Sequence, residues 1–161
     1  GKGEFDSKYA DLCGLAEKAQ TIKDKLIRAI DADTEAFNEV IAGMRMAKDT
    51  VEQQELRSQV IRAGYKSAAE VPLQTAKLCR QVLDLCTAAA DIGNQSVMSD
   101  AGVGALMAYA GVQGAIHNVR INLPNTKDDT FISDMESQLG ALLSESRDIC
   151  DAIQQKVNKS F

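Results

Sequence analysis

The sequence predicts an all-α fold, an up-and-down bundle of four to five long helices. Three observations carry this. Apolar residues recur in steps of three and four over most of the 161 residues, and no stretch shows the period-two alternation of a strand. Hydrophobic residues make up 45% of the chain but aromatics only 4%, with no Trp, so the core must be built from aliphatic residues and Ala. The breaks in the pattern are short and carry helix-ending residues, at Asp49-Thr50, Gly93-Asn94 and Pro124-Asn125.

The first helix is expected from Phe5 to Met46, roughly 60 Å long at 1.5 Å per residue. Its seam reads Tyr9, Leu12, Ala16, Ala19, Ile22, Leu26, Ile30, Phe37, Val40 and Met44. The position between Ile30 and Phe37 that continues the seam holds Asp33, while Asp31 and Glu35 point to water. Asp33 is therefore expected to be buried among Ile30, Phe37 and facing helices. A buried carboxylate costs several kcal/mol unless paired, hydrogen-bonded or protonated, so Asp33 is either functional or a polar residue that fixes helix register.

Thr50 and Gln53 have the spacing of a capping box, as do Asp49 and Glu52, and open the second helix. Its seam uses Leu56, Val60, Ala63 and Ala68, is expected to kink or break at Pro72, and resumes through Ala76, Cys79, Val82, Leu83, Cys86 and Ala90. Gly93-Asn94 ends it, and Ser99 reads as the N-cap of the next helix with Asp100 in its first turn. That helix carries small residues at Gly104, Ala108, Gly111 and Ala115, a stripe that suits tight helix packing, a flat ligand or a dimer partner. Pro124-Asn125 stops it. Thr126 or Asp128 opens the last helix, whose seam is Phe131, Met135, Leu139, Leu142, Ser146, Ile149, Ile153 and Val157.

The length suits a single domain, residues 1–161. A net charge of −5 argues against nucleic acid as the main partner, and no apolar run approaches the roughly 20 residues of a membrane span. Cys13, Cys79, Cys86 and Cys150 form no CxxC pair and the only histidine is His117, so no metal-ligand spacing exists. Reduced, mostly buried cysteines in a cytoplasmic protein are the expectation.

Asp31-Ala32-Asp33-Thr34-Glu35-Ala36-Phe37 resembles the "DADxxAF" helix of the cyclodeaminase/cyclohydrolase family of folate enzymes. Further segments resemble that family in order. They are Met44 to Lys48 (with Ala47 where proline is usual), Ala69-Glu70-Val71-Pro72-Leu73, Gly93-Asn94 with Ser99-Asp100, and Gly114-Ala115, Asn118-Val119 and Ile121-Asn122-Leu123. The resemblance spans essentially the whole chain. It also implies that the chain starts where the family's first helix should end, without its N-terminal glycine-rich loop and first helix.

The resemblance implies a formiminotetrahydrofolate cyclodeaminase or methenyltetrahydrofolate cyclohydrolase in which Asp33 is the catalytic acid and base. It implies a tetrahydrofolate derivative, possibly polyglutamylated, as substrate, with no metal and no permanently bound cofactor, and a homodimer. Candidate folate-binding residues are Lys48, Asn94, Ser99, Asp100, Asn118 and Asn122, with Arg120 and Lys127 added as cations for the glutamate tail. Asn118 and Asn122 are four residues apart and share a helix face. The alternative is a non-catalytic helical-bundle scaffold or assembly module on the same fold.

Overall fold

The structure is a computed structural model that describes residues 2–92 and 95–160, with side chains from 9 to 92 and from 97 to 160. It consists of α1 (Lys2–Arg45), α2 (Val51–Ile92), α3 (Gln95–Asn122) and α4 (Asp129–Asn158), with a 3₁₀ turn at Leu123–Thr126 joining the last two. No strand occurs among the described residues.

The central helix is α2, which packs against α1, α3 and α4, whereas among the described residues α1 packs against α2 alone. One core cluster joins Leu73 of α2, Val112, Ile116 and Val119 of α3, and Met135 and Leu139 of α4. A second joins Leu83 and Cys86 of α2 to Ala105 and Ala108 of α3 and to Cys150, Ile153 and Val157 of α4. From α1 only Leu26 reaches the edge of the first. The α4 seam is as the spacing predicts, with Met135, Leu139, Ser146, Ile153 and Val157 buried.

The helix ends follow local chemistry. The Thr50–Gln53 box forms, Gln53 N donating to Thr50 Oγ1 at 3.3 Å and Thr50 N to Gln53 Oε1 at 3.3 Å. Asp128 caps α4 by accepting from Phe131 N at 3.0 Å. Its other carboxylate oxygen takes Lys66 Nζ at 2.5 Å, and that ammonium lies 5.1 Å from the Phe131 ring centroid, which ties the start of α4 to α2.

Four expectations are corrected. In α1 the buried positions are Ile22, Ala36, Val40 and Gly43, while Ile30 is 66% and Phe37 50% exposed, and Asp33 is exposed as well. The cause is close approach. A Cβ on Gly64 would sit 3.0 Å from Val40 N, and one on Gly43 would sit 2.9 Å from Ile61 Cγ1, so small residues take the α1–α2 interface and large ones are left outside. In α2, Leu56 and Ala63 are exposed, and Gly64 is buried instead. Ser99 is not an N-cap, because α3 has already begun at Gln95. The Gly104–Gly111 stripe, by contrast, serves tight helix packing, the first of its expected uses: a Cβ on Gly104 would lie 3.1 Å from Cys86 Sγ and one on Gly111 only 2.8 Å from Cys79 Sγ.

The fourth correction concerns the break expected at Pro72, which instead lies inside a continuous α2. Proline has no N–H to give the carbonyl four residues back, here that of Ala68. Asn122 supplies the missing donor: its Nδ2 reaches Ala68 O at 2.9 Å. The helix therefore continues through a proline because a side chain of α3 replaces the absent backbone group.

Candidate active site

Three elements meet around Asp33. From α1 come Asp33 and Phe37, one turn apart; from α2 come Tyr65 and Ala68; from the end of α3 and the 3₁₀ turn come Asn118, Ile121, Asn122 and Asn125. They enclose a hollow of about 290 Å³. Because α1 and α3 both lie on α2 without packing on each other, a trough is left between them, and the hollow is one end of it.

The polar groups here differ in freedom. Asn122 is 9% exposed, and its Nδ2 donates to both Ala68 O and Asn118 O, each at 2.9 Å. Asp33 makes no ion pair among the described residues. Its position on the rim, instead of in the core, leaves the carboxylate able to exchange protons with whatever enters the hollow. Amides and a phenol around one unpaired carboxylate suit a neutral heterocycle undergoing proton transfer.

The other sequence candidates are dispersed. Asn94 lies outside the described residues. Ser99 is exposed near the start of α3, and Asp100 is 18 residues from Asn118, about 27 Å along the helix axis. Asp100 instead lines a second, apolar groove of about 640 Å³ at the other end of the trough, floored by Leu85 and Cys86 and walled by Leu26, Ile27 and Ile30. That groove is larger but lacks a convergent set of polar groups. Lys48 is exposed on the α1–α2 connection, where its carbonyl accepts from Gln54 Nε2 at 2.9 Å. Arg120 is engaged elsewhere, its Nε and Nη2 donating to Glu136 at 2.8–3.1 Å, a bond that pushes the Arg120 pKa up.

Lys127 borders a cavity of about 500 Å³ next to the hollow, together with Arg62 and Lys66. The two spaces are adjoining: Tyr65 and Asn125 line one, their chain neighbours Lys66 and Thr126 the other. Lys66 is neutralised by Asp128, whereas Arg62 and Lys127 make no ion pair among the described residues.

Sequence reasoning passed over Tyr65, Asn125 and Arg62. For Tyr65 a signal existed: the α2 positions that face α1 and α3 can be counted back from Ala68 in steps of three, to 65 and then 62. Asn125 was read only as a helix stop, since an asparagine beside a proline fits a turn whether or not it faces a ligand.

A sequence profile of the formiminotransferase-cyclodeaminase family matches residues 1–141. A methenyltetrahydrofolate cyclohydrolase of Methylorubrum extorquens is 35% identical over 162 residues, covering 98% of this chain and 78% of that protein. The formimidoyltransferase-cyclodeaminase of Gallus gallus is 31% identical over 147 residues, 91% of this chain but only 27% of the chicken protein. The crystal structure of a formiminotetrahydrofolate cyclodeaminase from Thermotoga maritima superposes with a TM-score of 0.77 at 22% identity, covering 89% of this chain and 67% of that one, a likeness of fold. With the profile matching most of the chain and a relative of this identity matching nearly all of it, the chain belongs to the formiminotransferase-cyclodeaminase family.

Proposed function

We propose that this protein is a folate one-carbon enzyme working at the 5,10-methenyl position, with Asp33 as its general acid and base. The observation that carries the reading is the placement of Asp33: an unpaired carboxylate on the rim of a hollow whose opposite wall is amide-lined. In the cyclodeaminase direction, N10 of 5-formiminotetrahydrofolate, whose formimino group is protonated as an amidinium, attacks the formimino carbon and Asp33 takes the N10 proton. The same carboxyl then protonates the amine nitrogen, the carbon–nitrogen bond breaks, and ammonia leaves 5,10-methenyltetrahydrofolate. In the cyclohydrolase direction Asp33 takes a proton from water as its oxygen adds to the methenyl carbon. That proton then goes to N5 as the carbon–N5 bond breaks, and the hydroxyl on the former methenyl carbon gives its proton to water, leaving 10-formyltetrahydrofolate. One carboxyl serves both reactions.

The anionic tail of the substrate points away from Asp33 toward Arg62 and Lys127. Arg62 lies six residues before Ala68 on α2, about 9 Å along the axis. With a net charge of −5 the protein must gather such cations locally. The acting unit is a homodimer. Ile27, Ile30 and Phe37 on α1 and Val103, Met107 and Ile121 on α3 are each half or more exposed, more apolar surface than a monomer commonly shows to water.

The test offers 5-formiminotetrahydrofolate and 5,10-methenyltetrahydrofolate separately and follows the methenyl absorbance. The parental protein converts at least one; Asp33→Asn lowers that rate about 10²–10⁴-fold with its helical circular dichroism intact. A folded Asp33→Asn protein working at the parental rate refutes the role given to Asp33. Failure of the parental protein on both substrates returns the scaffold reading.

A further inference from the structure

The amide of Asn122 has only one orientation open to it. Both partners of its Nδ2 are carbonyl oxygens, Ala68 O and Asn118 O at 2.9 Å each. Turning the amide over would set its oxygen against two others, so the NH₂ faces the helices. Ala68 O is available as a partner because Pro72 has no N–H to claim it. The side chain is more than nine-tenths buried, and its Oδ1 meets no donor among the described residues. Asn122 therefore shows the hollow an acceptor and withholds its donors.

We propose that Asn122 Oδ1 receives an N–H edge of the bound ligand, and that in a folate this is the aminopyrimidinone edge, with its 2-amino and N3–H groups, remote from N5 and N10. An anionic edge would meet an oxygen it repels, so the residue sets both orientation and selectivity. Placing the pyrimidinone at Asn122 leaves the reacting nitrogens on the Asp33 side of the hollow, which Asp33 and Asn122 both line. The proposal rests on the folate reading above and assigns Asn122 the ligand's polarity, which that reading leaves open. Pro72 leaves Ala68 O without a helical donor and does not line the hollow itself.

The test is calorimetric binding of two probes, 5-formyltetrahydrofolate and its counterpart carrying a methyl in place of the 2-amino group. They are offered to the parental protein, to Pro72→Ala and to Pro72→Ala/Asn122→Leu. Pro72→Ala restores a helical N–H to Ala68, and the carbonyl's second lone pair still holds Asn122, so the amide keeps its orientation. The parental protein and Pro72→Ala should prefer the 2-amino probe about 3- to 10-fold, the worth of one hydrogen bond. In the double variant, where the helical donor keeps Ala68 O satisfied, the preference should vanish. A parental protein that binds both probes equally overturns the proposal without needing any variant. So does a double variant that keeps the preference. If the parental protein binds neither probe, the folate reading fails first and this inference falls with it; loss of the preference alone leaves that reading standing.

Discussion

The bond from Asn122 to Ala68 makes a prediction that unfolding can check without any ligand. Asn122→Leu keeps the branched shape of the side chain but removes two hydrogen bonds, each 2.9 Å long. The Ala68 carbonyl is then buried with no donor, because Pro72 cannot return one. An unsatisfied buried carbonyl costs about 1–3 kcal/mol and the second bond about 1, so the loss should be about 2–4 kcal/mol. In a Pro72→Ala background the helix supplies its own donor, and the same substitution should cost only about 1 kcal/mol. The coupling between the two sites is then about 1–3 kcal/mol, large enough for a double-mutant cycle to resolve. Pro72→Ala alone should be close to neutral or mildly stabilising, since better helix propensity is offset by two buried methylenes at about 0.8 kcal/mol each. The assay is urea unfolding of the four proteins followed by helical circular dichroism. If Asn122→Leu costs the same in both backgrounds, within about 0.5 kcal/mol, Asn122 is not standing in for the missing backbone donor.

Hydrogen bonding from Lys66 and from the backbone N–H of Phe131 holds the Asp128 pKa below its ordinary value. A carboxylate depressed in the folded state stabilises above about pH 4, and that contribution is lost as pH falls through the depressed value. Asp128→Ala should therefore lose less stability than the parent on acidification; parallel urea midpoints down to low pH would contradict this. Burial pushes the Cys79, Cys86 and Cys150 thiols up, and Cys13 is exposed. A maleimide at neutral pH should modify one thiol per chain quickly and the other three only with unfolding, so rapid loss of all four in the folded protein would refute that burial pattern. Light scattering at micromolar concentration should return the mass of two chains, and a monomer mass alone counts against the homodimer.

The sequence is most legible where one helix face meets one neighbour. α4 is the clear case, because Met135, Leu139, Ser146, Ile153 and Val157 alternate cleanly with charged residues. It is least legible in α1, which has two apolar sides. There the seam holds Ile22 and Val40, which are buried, together with Ile30, Phe37 and Met44, which are exposed, and it leaves out Ala36 and Gly43, which the fold buries. Residue size ranks burial only when helices stand at ordinary distances; at the close approach set by Gly43 and Gly64 the ranking inverts. The same inversion moved Asp33 from the core to a rim. The hollow was partly legible: Asp33, Asn118 and Asn122 were singled out and stand together, whereas Ser99, Asp100 and Arg120 lie elsewhere. What joins Asn122 to Pro72 is a contact between residues far apart in the chain, which periodicity within one helix does not record.

A helix held by one neighbour has its own stability. Among the described residues, α1, 44 residues long, packs on α2 alone and sends no fully buried side chain into either core cluster. It should behave as a separate foldon, its amides exchanging with solvent through an opening that leaves α2, α3 and α4 assembled. Asp33 rides on this helix, and the asparagines opposite it ride on α3 and the 3₁₀ turn, which pack on both α2 and α4. A molecule gripped by both would tether α1 to α3, two helices the chain itself leaves unjoined. Amide protection of α1 would then report occupancy of the hollow at a distance, and ligand affinity would carry the free energy of holding α1 closed.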